Sequence, residues 1–474
     1  MSLSSIDKLP PEIIQEIFAL CIQPSTRLLP PAEANTLNNN NITQVTQLAI
    51  SHVCSKWRAI ALSFPCLWNR FSLRFGPDDS DSRRTSILQL AELWLSRSED
   101  TLIAMDIEVG HDYCHFLAGQ LIRKIHSLIS QHKFKALGGK SELIFPMFQD
   151  AESYKTSLSC VQSLKLTHTL GQAHADHIIQ YDLPCLLSLD LDFLRCPTIH
   201  PFPWGAIFPM IPWHRLQRFK ICGISCVEAA VDVLWQCRAL VELDLSLHRW
   251  PQNEVGVLTN GVPLPNLREL KFDSTFLITD ISTLMRVIDA PHLTRLLLKW
   301  SNPCPSSESH FDRLMAKLGT QFQQLHEFTI CYPYEGLDIR PILKCMPSLR
   351  HLTLDAKIRL NQDTAKKISN GELGPCLKSM SISKSRDPEL LLDTIEKRWR
   401  IAMGSNGSSS SISSFSRVTF SCTRSLYDRC REHAKRLERE HNIDINIATV
   451  IGHQVGARTV VVGRQHGKFG LDGV

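Results

Sequence analysis

The sequence predicts an α/β protein: a small helical module followed by an irregular solenoid, with parallel strands on the concave side and helices on the convex side. Three observations carry that expectation. Near the N-terminus, two stretches place apolar residues at helical spacing and close in an aromatic-rich segment. From about Leu102, a short apolar frame recurs down most of the chain. Between many frames the apolar period switches from that of a strand to that of a helix.

Composition narrows the function before any motif is read. The chain has 474 residues, 43% hydrophobic and 21% charged, close to globular averages. Its net charge of +5 is small for this length, unlike the concentrated basic patch of a nucleic-acid binder. The 16 cysteines are scattered, and many, such as Cys160, Cys185 and Cys345, lie beside apolar residues. That is how reduced cysteine is used in intracellular proteins. The segment MSLSSIDKLPPEI lacks a charged leader with an apolar core, and no apolar run approaches the ~20 residues that span a bilayer. The expectation is a protein of cytoplasm or nucleus, with no membrane and no nucleic acid among its partners.

In the first stretch, Pro10 and Pro11 suit a helix start, where a missing N–H is no loss. Ile13, Ile14, Ile17, Phe18 and Cys21 then share a face. A segment rich in Pro, Asn and Thr reads as an inserted loop, 23–46. Helical spacing resumes with Val45, Leu48, Ala49, Val53, Trp57 and Ile60, stops at Phe64-Pro65, and gives way to Leu67, Trp68, Phe71 and Leu73. The blocks LPPEIIQEIF and HVCSKWRAIALSFPCLW resemble the F-box, with the loop an expansion similar to that in F-box proteins of mushroom-forming fungi. Helices this short bury little alone, so their apolar residues are expected to serve a partner as well as a core.

Farther on, the frame is apolar, two variable residues, apolar, one variable, apolar. Leu102, Met105 and Ile107 begin it. Nine frames follow from Val161-Leu164-Leu166 to Leu377-Met380-Ile382, and their starts lie about 24 to 32 residues apart. Val227 to Cys237, Ile281 to Ala290, Phe311 to Leu318 and Pro388 to Arg400 read as intervening helices. The pattern resembles the leucine-rich repeat, although the Asn or Cys after the third apolar position is mostly absent, as at Ser246. Such units bury their apolar faces only by stacking. The serine-rich run 404–414 reads as a loop inside a late repeat, because Phe415, Val418 and Phe420 restore the frame after it. Ile443, Ile445 and Ile447 suggest a closing strand. The expected organisation is residues 1–75, then repeats over 76–450, then a tail over 451–474.

No constellation argues for catalysis. Gly139-Lys140-Ser141 ends like a phosphate-binding loop, but Phe134 stands where its first glycine belongs, and the preceding residues read as helix rather than strand. His111 and His115, with Cys114 between, lack the further ligands of a zinc site and read as a solvated helix start. Cys222, Cys226 and Cys237 have no second pair and read as packing residues. No Gly-x-Ser-x-Gly is present. No metal, cofactor or enzymatic activity is expected.

The resemblance implies a substrate-recognition subunit of an SCF-type ubiquitin ligase. The F-box would dock on a Skp-type adaptor that links to cullin and RING subunits, through Leu9, Pro10, Ile13, Ile14, Ile17, Phe18, Val53, Trp57 and Trp68. The repeats would hold a protein target. Strand alternation turns the variable frame positions toward the open face. These are Asp190, Asp192, Arg218, Lys220, Glu242, Asp244, Glu269, Lys271, Arg295 and Lys299, a mixed-charge set that suits a mixed-charge target. The alternatives are a scaffold that binds the adaptor outside a ligase and, behind it, an enzyme with an unrecognised site.

Overall fold

The computed structural model describes residues 9–21, 27–28, 46–76, 78–109, 119–140, 143–144, 146–147, 150–167, 183–192, 211–224, 227–247, 261–274, 285, 287–300, 315, 323–358, 360–404 and 412–449. The chain divides into two compact units, Met1–Leu240 and Val241–Val474.

The first unit opens with helices α1 (Pro11–Cys21), α2 (Thr46–Val53) and α3 (Ser55–Leu62). Parallel strands follow in chain order: β2 (Arg70–Phe75), β3 (Ile103–Val109), β4 (Phe134–Lys140), β5 (Ser163–Thr167), β6 (Ser188–Asp192) and β7 (Arg218–Ile224). A two-residue strand β1 (Arg27–Leu28) pairs with β2, so part of the expected loop 23–46 is strand. Between the strands lie α4 (Asp81–Ser98), α5 (Gly119–Ser130) and α6 (Ala151–Leu158), and α7 (Val227–Leu234) follows β7. β5 shows why these segments are strands. SLKLT buries Leu164 and Leu166 and leaves Ser163, Lys165 and Thr167 half-exposed, the two-residue period of a sheet with one buried face.

Two expectations are corrected here. The segment before Gly139-Lys140 is strand β4, not helix, with Phe134 and Leu137 buried. Its glycines serve the sheet: a Cβ on Gly138 would meet Asp106 Oδ1 at 2.5 Å, and one on Gly139 would press on Ile107 O and Ile144. The sheet also takes in β2, inside the segment read as helical module, because Phe71, Leu73 and Phe75 pair in register with Met105, Ile107 and Val109.

The second unit stacks parallel strands β8 (Glu242–Leu247), β10 (Glu269–Ser274), β12 (Arg295–Trp300), β13 (Glu327–Leu337), β14 (His351–Ile358), β15 (Ser379–Ser385), β16 (Arg417–Cys422) and β17 (Asp444–Thr449). A second, two-stranded sheet pairs β9 (Val262–Pro263) with β11 (Ile288–Asp289). The latter corrects only the end of the helix expected over Ile281 to Ala290: Met285 and Val287 are helical, but Ile288 is β-branched and Pro291 disfavours helix just before it. Of the helix expected over Phe311 to Leu318, only Met315 lies among the described residues. Helices α8 (Arg340–Cys345), α9 (Gln362–Ser369), α10 (Pro388–Gly404) and α11 (Arg424–His441) are placed between the later strands.

Register keeps the frames in columns. Leu243, Leu270, Leu296, Phe328, Leu352, Met380, Val418 and Ile445 are successive partners, all buried. A tight turn enters several strands. The N–H of Leu267, Leu293, Leu349 and Leu377 donates to the carbonyl three residues back, at 3.1–3.2 Å, and a proline sits second in each turn.

Candidate functional site

The helical module is built around an aromatic core. Ile14 and Phe18 are buried on α1, and Phe18 meets the ring of Trp57 edge-on at 5.1 Å. Cys54 caps α3, its Sγ accepting from the Trp57 N–H, and Lys56 Nζ donates to Leu9 O at 3.2 Å, tying α3 to the entry of α1. Trp68 is fully buried. Its indole N–H donates to Ala61 O at 2.8 Å, its ring meets Trp94 of α4 edge-on at 4.8 Å, and the Arg97 guanidinium lies 4.6 Å from its centre. The module is thus packed against the helix that follows it.

Nine residues were expected on the adaptor surface, and the structure divides them. Ile14, Phe18 and Trp68 are core. Leu9, Ile17 and Trp57 are half-buried, Pro10 is exposed, and Ile13 and Val53 are 48% and 60% exposed. Leu20, which sequence reasoning passed over, is 86% exposed. Its signal was present: Ile13, Ile17 and Leu20 lie at i, i+4 and i+7, one stripe of a helix. α1 therefore carries two apolar stripes, one inward and one outward.

The second surface is the outward face of the strands, where all ten expected residues lie half-buried or exposed. In the first unit, register lines up Asp106, Gly138, Lys165, Asp190 and Lys220. Gly138 has no side chain to intervene, and Lys165 reaches across it to Asp106 at 3.0 Å, while Lys220 pairs with Asp190 at 3.2 Å. In the second unit, Glu269 holds Lys271 at 2.6 Å and Arg295 at 3.7 Å, Arg295 also meets Glu327 at 3.0 Å, and Lys299 meets Asp273 at 2.6 Å. The hydrogen bond to Glu269 holds the Lys271 ammonium above its ordinary pKa against partial desolvation, with the charges of Glu269, Asp244 and Glu242 adding to it. Much of the charge on this face is thus already paired within the protein. Sequence reading stopped at Lys299 and missed Asp106, Lys165 and Glu327, which occupy the same variable positions of neighbouring strands.

Among the described residues, Asp393, Glu396 and His433 on α10 and α11 form a cluster of ligand-type atoms. Glu396 Oε1 accepts from Arg400, and Oε2 accepts from His433 at 3.0 Å and Arg436 at 2.9 Å. Two guanidinium groups on one carboxylate oppose a bound cation, so the cluster is an ion-pair hub between helices. Cys222 and Cys237 are buried, and burial pushes the Cys237 thiol up to about 12, consistent with packing. His111, Cys114, His115 and Cys226 lie outside the described residues.

Residues 6–74 match the F-box-like family model, a span running from before α1 into β2. The chain thus carries an F-box-like module followed by parallel strands in each of its two units. No curated protein matches the sequence. Among solved structures it is similar to a crystal structure of a Bacteroides fragilis protein, 13% identical with a TM-score of 0.30, over 63% of this chain and 76% of that one. A likeness of that size carries no argument. Among the described residues, no helix is long and apolar enough to cross a membrane.

Proposed function

We propose that this chain is the substrate-recognition subunit of an SCF-type ubiquitin ligase, acting in cytoplasm or nucleus. The F-box-like module points to an adaptor or interaction protein, and the observation that carries the reading is the outward stripe Ile13, Ile17 and Leu20 on α1. Those side chains dock a Skp-type adaptor, helped by Leu9, Pro10, Val53 and Trp57, while Ile14, Phe18 and Trp68 hold the module in shape. The adaptor links the chain to cullin and RING subunits. The strand array is of leucine-rich-repeat type, supported by its recurring frames, parallel strands and intervening helices, and its outward strand face holds the protein target. Chemistry is performed by the partner enzymes; this chain contributes proximity and orientation.

Affinity purification of the full-length protein tests this. Adaptor and cullin should both be recovered. Adaptor without cullin would indicate a scaffold outside a ligase, and recovery of neither would remove the proposal.

A further inference from the structure

We infer that, in the unit from Val241 onward, the target-binding surface is an uncharged row of outward strand residues, and that it takes an uncharged, hydrogen-bonding protein segment bearing one apolar side chain. This rests on the strand face being the target surface, and it names what that target must present.

Register places Leu297, Thr329, Thr353, Ser381, Thr419 and Asn446 side by side across β12 to β17. None is charged and none is fully buried. Ser379 and Ser383 extend the polar patch along β15. No side-chain hydrogen bond ties Thr329, Thr353, Ser381, Thr419 or Asn446 to another described residue. Each hydroxyl can both donate and accept, and the amide does likewise.

Charges that flank the row at both ends are already paired, on β10 and β12 and again at Arg417–Asp444 on β16 and β17. On β10 and β12, Glu269, Lys271, Asp273, Arg295 and Lys299 are engaged with one another or with Glu327. A ligand that used those charges would have to break existing pairs. The hydroxyl row asks for no such exchange. Leu297 begins the row, half-exposed, between Arg295 and Lys299, whose charges are held aside by their partners. It offers the one apolar contact.

Strands lie about 4.8 Å apart, so Leu297 to Thr419 spans roughly 19 Å. An extended segment places same-face side chains about 6.7 Å apart, so about four of its side chains cover that span. The segment that fits carries Ser, Thr, Asn or Gln, with an aliphatic or aromatic residue over Leu297. Because no net charge is matched, its binding depends little on salt.

The test is selection of a random dodecapeptide phage library against the immobilised full-length protein. Selected peptides should carry little charge and bind equally well in low and high salt. They should weaken about tenfold on the near-isosteric pair Thr353→Val with Ser381→Ala, equivalent to about 1.4 kcal/mol. The pair Asp244→Lys with Lys271→Asp should leave them bound. Charged, salt-sensitive peptides, peptides lost on the second pair but not the first, or no enrichment at all would each overturn the inference. Adaptor binding measured on the same variants reports separately on the parent proposal and on folding.

Discussion

Arg398 offers a demanding test of how the second unit is held together. The side chain is fully buried on α10 and spends its donors on backbone carbonyls. Nε donates to Ser413 O at 2.8 Å, Nη1 to Ile368 O at 2.7 Å, and Nη2 to Gly374 O and Pro375 O at 2.8 Å each. It thereby pins the end of α9, the turn before β15 and the segment leading into β16, and its guanidinium lies 5.1 Å from the Phe415 ring centre. Burial costs it: its pKa falls from 12.5 to about 10, which corresponds to ~3 kcal/mol. Four bonds to a charged donor, at about 1.5–3 kcal/mol each, exceed that cost. Arg398→Met would leave the carbonyls buried without donors, and we expect a loss of about 3–5 kcal/mol. Arg398→Lys should recover little, because one ammonium cannot reach four carbonyls. Urea unfolding gives the total, and hydrogen exchange over 412–422 should rise first. A loss under about 1 kcal/mol for Arg398→Met, well below the range expected for a broken buried charged network, would refute the reasoning.

Three further outcomes are expected. Leu243, Leu270, Leu296 and Leu352 are 0–2% exposed, so each Leu→Ala change should cost about 2–5 kcal/mol in urea unfolding; losses near zero would contradict their placement. Burial alone would raise the Glu396 carboxyl, but the His433 hydrogen bond and the charges of Arg400 and Arg436 outweigh it and hold the pKa below the ordinary 4.5. That stabilisation is present above the ordinary value and lost as pH falls through the lower folded one; Glu396→Gln should therefore flatten the acid limb of stability against pH, and an unchanged limb would count against the hub. A fragment ending at residue 75 lacks Trp94, Arg97 and β3, so it should be poorly folded by circular dichroism, whereas one ending after β4 should be folded; a well-folded shorter fragment would show that Trp68 does not need α4.

Much of the fold was legible because the frames are strict: Leu189-x-Leu191 and Leu243-x-Leu245 alternate as a one-sided strand must. β4 was not, because FKALGGK puts glycine at the framing position of Gly139, beside Ile144, and at the outward position of Gly138, beside Asp106. The entry turns were written in the sequence as prolines two residues before Leu267, Leu293, Leu349 and Leu377, a second period hidden behind the stronger leucine one. For the site, periodicity found the apolar residues of α1 but could not say which stripe faces inward, since Ile13 and Ile14 differ by a single step of the helix. Charge reading found the outward strand residues, but cross-strand pairing depends on register, and register appears only when the strands are stacked.

The claim on which the rest depends is that the outward stripe of α1 docks a Skp-type adaptor. Titration of full-length protein into purified adaptor by calorimetry, with the wild type and with Ile13→Asp plus Leu20→Asp, measures it directly. Both residues are exposed, so the double variant should keep the wild-type circular dichroism and melting. The account predicts clear binding by the wild type and a loss of at least a hundredfold, about 3 kcal/mol, for the variant. Equal affinity for the two proteins, or a wild type that does not bind, would contradict it.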